Sequence, residues 1–198
     1  MSKKIVLATR NKGKIKELRE MLAKYQVEVL GLDDFPQTPE VEEDGLTFEH
    51  NAIKKAQTIS DYLMLPALAD DSGVEVDALG GQPGVFSARF AGNHATDEQN
   101  NRKIIEAIRD IPESERSARF RCVLALAVPG KEVWTCDGVC EGVIITEPQG
   151  TNGFGYDPLF FLPKFGLTMA QLSSEGKNQI SHRGKAVRNF IEHIHELI

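Results

Sequence analysis

Four short polar segments carry residue types that could do chemistry together. Thr9-Arg10-Asn11-Lys12-Gly13-Lys14 joins an apolar run to an amphipathic one. Backbone N–H groups at a helix N-terminus, with a lysine beside them, make a phosphate site. The spacing is not that of a P-loop, and the plainer reading is Asn11 as an N-cap beside solvated lysines. Ala69-Asp70-Asp71-Ser72-Gly73 sets two carboxylates side by side, enough for a divalent cation, or for one ligand and one general base; an ordinary Asx-rich turn is the alternative. In the stretch from Gly150 to Pro158, glycines separated by aromatics suit a loop that approaches a flat ligand and stacks Phe154 or Tyr156 on it, or a connection whose aromatics fill the core. Lys177 and Ser181-His182-Arg183 bring positive charge to the first turn of a helix, against the helix dipole. An anion or polar ligand there would explain it, and so would solvation.

The elements that must position these segments are legible from periodicity. Lys4 to Thr9 reads as a buried strand, followed by a helix with Ile15, Leu18, Met21, Leu22 and Tyr25 on one face. After the acidic connection Asp33 to Gly45, Thr47 caps a second helix whose stripe is Phe48, Ala52, Ala56, Ile59 and Leu63. Ala67 to Leu79 reads as a short strand, a tight polar corner at Asp70 to Gly73, and a second strand through Val74 and Val76. Thr96 and Gln99 have capping-box spacing for a helix carrying Ile104, Ile105 and Ile108. Ala118 to Val128 alternates as a half-buried strand at its start, Pro129-Gly130 turns, and the EVWTC segment returns as a hairpin partner, with a further strand at Gly142 to Thr146. Thr168 and Gln171 cap a short helix. Ser181 caps the last one, with Ala186, Val187, Phe190, Ile191, Ile194 and Leu197 facing the core. Strand-helix units around a central hairpin predict a mixed sheet flanked by helices, of the α/β or α+β class.

Composition narrows the class. With 198 residues, 41% hydrophobic and 26% charged, the chain is an ordinary globular one and not a disordered one. The net charge is 23 − 29 = −6, which argues against a nucleic-acid partner and leaves room for a small anionic ligand met by local cations. No apolar run approaches the roughly 18 residues of a membrane span, and the opening MSKKIVLATRNKGK has no secretory h-region. Cys122, Cys136 and Cys140 lack paired spacing, so reduced thiols in a cytoplasmic protein are expected.

Taken in order, ATRNKGK, EEDGLTF-x-x-NA-x-x-KA, ADDSG, LGG-x-PG-x-x-SAR, FGYDP and ISHR resemble the inosine triphosphate pyrophosphatases across nearly the whole chain. Those are house-cleaning enzymes that hydrolyse dITP, ITP and XTP to the monophosphate and diphosphate. The resemblance implies an elongated α/β fold, a single domain over 1–198 with two lobes around a cleft, a homodimer and Mg²⁺ dependence. It implies that the segment Thr9, Arg10, Asn11, Lys12, Gly13, Lys14 grips the triphosphate together with Lys55, and that Asp71 is the general base. Glu43, Asp70 and Asp71 would supply the metal environment, and Ser72 would help hold substrate. Phe154, Gly155, Tyr156, Asp157, Lys177, His182 and Arg183 would form the nucleobase side, with Arg183 donating to a 6-oxo group.

Three departures from the family pattern stand out. His50 takes the place of a usual Glu, which either weakens a helix cap or removes a carboxylate near the metal. Asn152 replaces a common Gly, an exchange suited to a left-handed backbone. Gly176 replaces a common acidic residue and would loosen that loop. A Maf-like pyrophosphatase with another base preference, or a nucleotide-binding regulator that has lost catalysis, are the competing readings.

Overall fold

A computed structural model describes residues 3–25 and 27–197, without the side chains of Lys3 and Leu197; the expected core position of Leu197 lies outside the described residues. Strand β1 (Lys3–Leu7) leads into helix α1 (Lys12–Leu22), then β2 (Val27–Gly31), α2 (Phe48–Leu63), β3 (Ala67–Val76) and α3 (Asp97–Ile108). The second half runs β4 (Ser117–Ala127), β5 (Trp134–Ile144), β6 (Phe160–Leu162), β7 (Leu167–Thr168), α4 (Ser174–Ile180) and α5 (His182–Leu197). The strands form one mixed sheet in the order β2-β1-β3-β4-β5-β6-β7. β1 pairs parallel with β2 and β3, whereas β6 pairs antiparallel with β5 and β7. This is an α/β fold. Among the described residues no helix is long and apolar enough to cross a membrane.

Local signals set the helix starts. Asn11 Oδ1 accepts from Lys14 N–H, Thr47 Oγ1 accepts from His50 N–H, and Thr96 with Gln99 forms a full capping box. The Thr168–Gln171 box is also present, on a single 3-10 turn at Met169–Gln171. Edge strand β2 has no counterpart in the sequence reading, and in the structure its five residues show no clean alternation of burial. Tyr25, expected on the apolar face of α1, lies in the 3-10 turn beyond it and is exposed. The segments read as a returning hairpin strand and a further strand form one strand, β5.

The chain divides into two compact units: residues up to Asp71 with Cys122–Gly138 and from Arg183 onward, and Ser72–Arg121 with Val139–His182. Each has its own core. In the first, Ile5, Leu7, Leu18, Leu68, Leu124 and Phe190 are among the residues sealed from solvent; in the second, Val74, Ile104, Ile108, Ile144, Phe160 and Met169 are.

The expected corner at Asp70 to Gly73 is instead the middle of a continuous ten-residue strand, β3. Gly73 is small for a different reason than turning. In the second unit a Cβ on it would stand 2.3 Å from Ser87 Oγ and 2.5 Å from the Gly84 carbonyl oxygen. Ser87 Oγ uses that closeness, accepting from Val74 N–H at 3.0 Å and donating to Gly84 O at 2.6 Å. Gly73→Ala should therefore lower stability by about 1–3 kcal/mol, the usual cost of overpacking, measured as a lower midpoint of chemical denaturation. An unchanged midpoint would mean that the 84–89 segment is not seated on β3.

Candidate active site

Cations and carboxylates meet in the first unit. Thr9 Oγ1 accepts from Asn11 N–H at 3.2 Å, and the Asn11 cap then fixes where α1 begins. One turn in, Lys14 reaches Asp70 Oδ1 at 2.6 Å and its carbonyl oxygen at 3.4 Å. From α2, Lys55 Nζ reaches the same Asp70 carbonyl at 2.8 Å, Asp71 Oδ1 at 2.8 Å and Glu43 Oε1 at 2.5 Å. All three ammonium donors of Lys55 are thus satisfied, which is what lets the residue be 7% exposed. The two lysines from different helices converge on one backbone oxygen. Of the rest of the first segment, Arg10 donates to Thr38 Oγ1 at 3.3 Å, Gly13 is half-buried and Lys12 is exposed.

Neighbouring side chains on a strand point to opposite faces, and Asp70 and Asp71 accordingly have different partners. Asp70 is fully buried. Arg183 clamps it through Nε at 2.8 Å and Nη2 at 3.3 Å, and Cys122 Sγ donates to it at 3.1 Å. The remaining Arg183 nitrogen, Nη1, holds Glu17 Oε2 at 2.6 Å. Asp71 instead receives Lys55 on one oxygen and Asn51 Nδ2, at 3.3 Å, on the other. Asn51 is fully buried and its Oδ1 accepts from Gly45 N–H at 2.8 Å, so one amide ties the acidic connection to Asp71.

The electrostatics follow from these contacts. Burial would raise the Asp70 carboxyl, but Arg183 and Lys14 hold it well below its ordinary 3.8. At Asp71 burial prevails, helped by the Glu43 charge, so its carboxyl lies above the ordinary value despite Lys55 and Lys14. Burial would lower Lys55, yet Asp71 and Glu43 keep its ammonium more basic than usual. Burial and the Asp70 charge push the Cys122 thiol well up, so it is not a nucleophile.

Two expected groupings are placed differently by the structure. Among the described residues no three carboxylate, imidazole or thiolate groups are arranged to hold a metal. Of the three expected metal residues, Asp70 is turned to Arg183, Lys14 and Cys122. Glu43 and Asp71 remain, both on Lys55 Nζ, and one or two carboxylates plus phosphate oxygens are the usual protein complement for Mg²⁺. Arg183, expected on the nucleobase side, belongs to the acidic cluster of the first unit, 1% exposed. Glu17 and Asn51 were not anticipated as site residues. The available signal was a polar residue set inside each helix's apolar stripe, next to Leu18 and Ala52.

The second unit holds the other set. Asp157 accepts from Phe154 N–H at 2.9 Å and pairs with Lys177, whose ammonium also lies 4.9 Å from the centre of the Phe154 ring. His182 stacks on Phe120 at 4.6 Å. Tyr156 is buried and donates its hydroxyl to Ser87 O at 2.7 Å, so it belongs to the core, whereas Phe154 is half-buried. Ser72 is half-buried on β3. Asn152 is not left-handed; it latches onto Ala170 O and Leu172 O at 3.0 and 2.9 Å. Gly176 sits inside α4, not in a loop, with its N–H on Ser173 Oγ. His50 is exposed, with the Thr47 cap intact without a Glu.

The Ham1 family model matches residues 5–193. The chain is 52% identical over 191 residues to the dITP/XTP pyrophosphatase of Geobacter sulfurreducens, covering 96% of each. It is 47% identical to that of Oceanobacillus iheyensis, covering 98% of this chain and all of the other. Among solved structures, the Ham1 protein of Staphylococcus aureus superposes with a TM-score of 0.87 at 40% identity, over 99% of this chain and 100% of that one. A HAM1 protein from Coxiella burnetii gives 0.88 at 43%, over 98% and 99%.

Removing one partner of a buried ion pair strands the other, at a cost of about 3–5 kcal/mol. Asp70→Asn should lose stability on that scale in equilibrium unfolding at neutral pH. Because the folded carboxyl lies below its ordinary 3.8, its contribution is complete above that pH and fades as pH falls below it. The gap between wild type and variant should therefore narrow in acid; a gap that widens would contradict the assignment.

Proposed function

The chain belongs to the Ham1 family, and on that premise we propose that it hydrolyses the non-standard purine nucleoside triphosphates dITP, XTP and ITP to the monophosphate and diphosphate. The observation that carries the reading is Lys55: a buried ammonium held between Asp71, Glu43 and the Asp70 carbonyl, beside a carboxyl raised by burial. That is a charge-neutralising cation next to a base.

Cleavage between the α and β phosphates needs a water in line with the scissile bond and a sink for negative charge. The water oxygen bonds to phosphorus, its proton passes to Asp71, and the bond to the diphosphate leaving group breaks. A carboxyl with a raised pKa is a better proton acceptor, once ionised, than an ordinary one. Asn51 holds the second Asp71 oxygen and so orients it. Lys14 and Lys55 meet the phosphate oxygens, and Thr9 and Asn11 shape the N-terminus of α1 that faces them.

Charge balance argues for a metal. Lys14, Lys55 and Arg183 stand against Glu17, Glu43, Asp70 and Asp71, three cations to four carboxylates. A polyphosphate adds more negative charge, so the lysines need relief from their carboxylates. Glu43 and Asp71 would hold Mg²⁺, which supplies neutralisation of the phosphates and of the leaving diphosphate.

On the base side, Phe154 offers a stacking face and Lys177 a donor for a 6-oxo acceptor, where adenine presents a 6-amino donor. A donor left unpaired against the wrong base is a strong discriminator. His182 and Asp157 hold this arrangement, and Arg183 acts through Asp70. We place the enzyme in the cytoplasm, which its three free cysteines suit. Family resemblance supports a homodimer, to be read from its mass in solution.

Diphosphate release should be seen with dITP, XTP and ITP, little with ATP, and should stop when EDTA removes divalent cations and return with Mg²⁺. Asp71→Asn should lower kcat by about 10²–10⁴-fold, the range of general-base contributions. Preference for modified pyrimidine nucleotides, or ITP binding without diphosphate release in calorimetry, would overturn the proposal.

A further inference from the structure

We infer that Asp97 and Asn101, one turn apart at the start of α3, are positioning residues that set the Phe154–Gly155–Tyr156 turn and through it the affinity for the purine. The inference rests on the reading above, in which Phe154 meets the base, and adds the device that aims it.

Positions i and i+4 share a helix face, and here both reach one residue. Asp97 Oδ2 accepts from Gly155 N–H at 2.7 Å, and Asn101 Nδ2 donates to Gly155 O at 3.0 Å. The N–H belongs to the peptide joining Phe154 to Gly155, and the oxygen to the peptide joining Gly155 to Tyr156. Both peptide planes flanking Gly155 are therefore held from α3. Gly155 has φ +60°, and a Cβ there would meet nothing within 4 Å. Glycine is required by the backbone turn alone, not by crowding.

The helix end that does the holding is itself anchored. Thr96 and Gln99 cap it reciprocally. Asn100, buried next to Gln99, accepts from Ala91 N–H at 2.8 Å and donates to Ala88 O at 3.2 Å. On the far side of the turn, Tyr156 is fixed by its hydroxyl on Ser87 O, and Phe154 N–H is fixed on Asp157. With the clamp in place, Phe154 has little rotational freedom left in its backbone, and its ring stays under the Lys177 ammonium. Without the clamp, the ring must be ordered by the substrate, and that ordering is charged against binding. The cost falls on KM, because the phosphate chemistry is performed by residues that the clamp does not touch. Asp97 is exposed, so removing its carboxylate opens no cavity.

The test is steady-state kinetics of the full chain on dITP and XTP, with thermal melts in parallel. Asp97→Ala and Asn101→Ala should each raise KM about tenfold or more, the scale of one hydrogen bond with an ionised or well-ordered partner, with kcat changed by less than about twofold and the melting midpoint held. Asp97→Asn keeps an acceptor oxygen for Gly155 N–H and should restore most of the wild-type KM, which a purely structural or charge effect would not allow. Gly155→Ala, which strains the same turn from the loop side, should reproduce the KM rise with α3 intact. Unchanged KM in both alanine variants, equal defects in Asp97→Asn and Asp97→Ala, or a fall confined to kcat would overturn the inference while leaving the activity standing. A wild-type chain that releases no diphosphate from either nucleotide would overturn both.

Discussion

Asp70 is a carboxylate with no access to water, and the first unit is arranged around that fact. A buried charge is tolerated only when it is paired and hydrogen-bonded. Arg183 supplies a two-point clamp, Lys14 a second cation and Cys122 a weak donor. Arg183 in turn requires Glu17 for its remaining nitrogen. Four elements, α1, β3, β4 and α5, are thereby committed to fixed places by one side chain, and Lys14, paired with Asp70, also acts on the Asp71 carboxyl through its charge. The adjacent Asp71 is left with softer surroundings, a lysine and an amide, and its carboxyl rises instead of falling. Adjacent positions on one strand thus differ in kind: one carboxyl is held below its ordinary pKa by its cations, the other is raised above it by burial.

The two clusters use the same chemistry for different ends. In the first unit, lysines are neutralised by carboxylates gathered around one strand. In the second, the Lys177–Asp157 pair is buried, with both side chains almost without solvent, and its proximity to Phe154 makes it a support for an aromatic ring. The partition of the chain into two units, each with its own core, matches this partition of polar groups.

Much of this was legible beforehand, for local reasons. The caps at Asn11, Thr47 and Thr96 are decided by a side chain and an N–H three residues on, so they survive translation from sequence to structure without change. The convergence of Lys14 and Lys55 on the Asp-Asp pair was implied by the family's motif order. Local reasoning failed where packing from a distance decided the matter. Asp-Asp-Ser-Gly has turn composition, yet it lies within a strand, because Gly73 makes room for Ser87 and the buried aspartates find cations. Tyr156 was a candidate for stacking until its hydroxyl found a backbone oxygen at Ser87.

By itself, the amino-acid sequence determined a mixed sheet flanked by helices, the starts of α1, α2 and α3, the polar residues from which a site could be made and the family whose motif order it shares. Tertiary structure alone decided which carboxylate meets which cation. Arg183 and Asp70 are 113 positions apart, and no periodicity or capping rule reaches that far; the pairing exists because the start of α5 and the middle of β3 belong to the same unit. A charge's partner fixes its protonation and its availability, so the division of labour between Asp70 and Asp71, identical residues side by side, could be read only once the chain was folded.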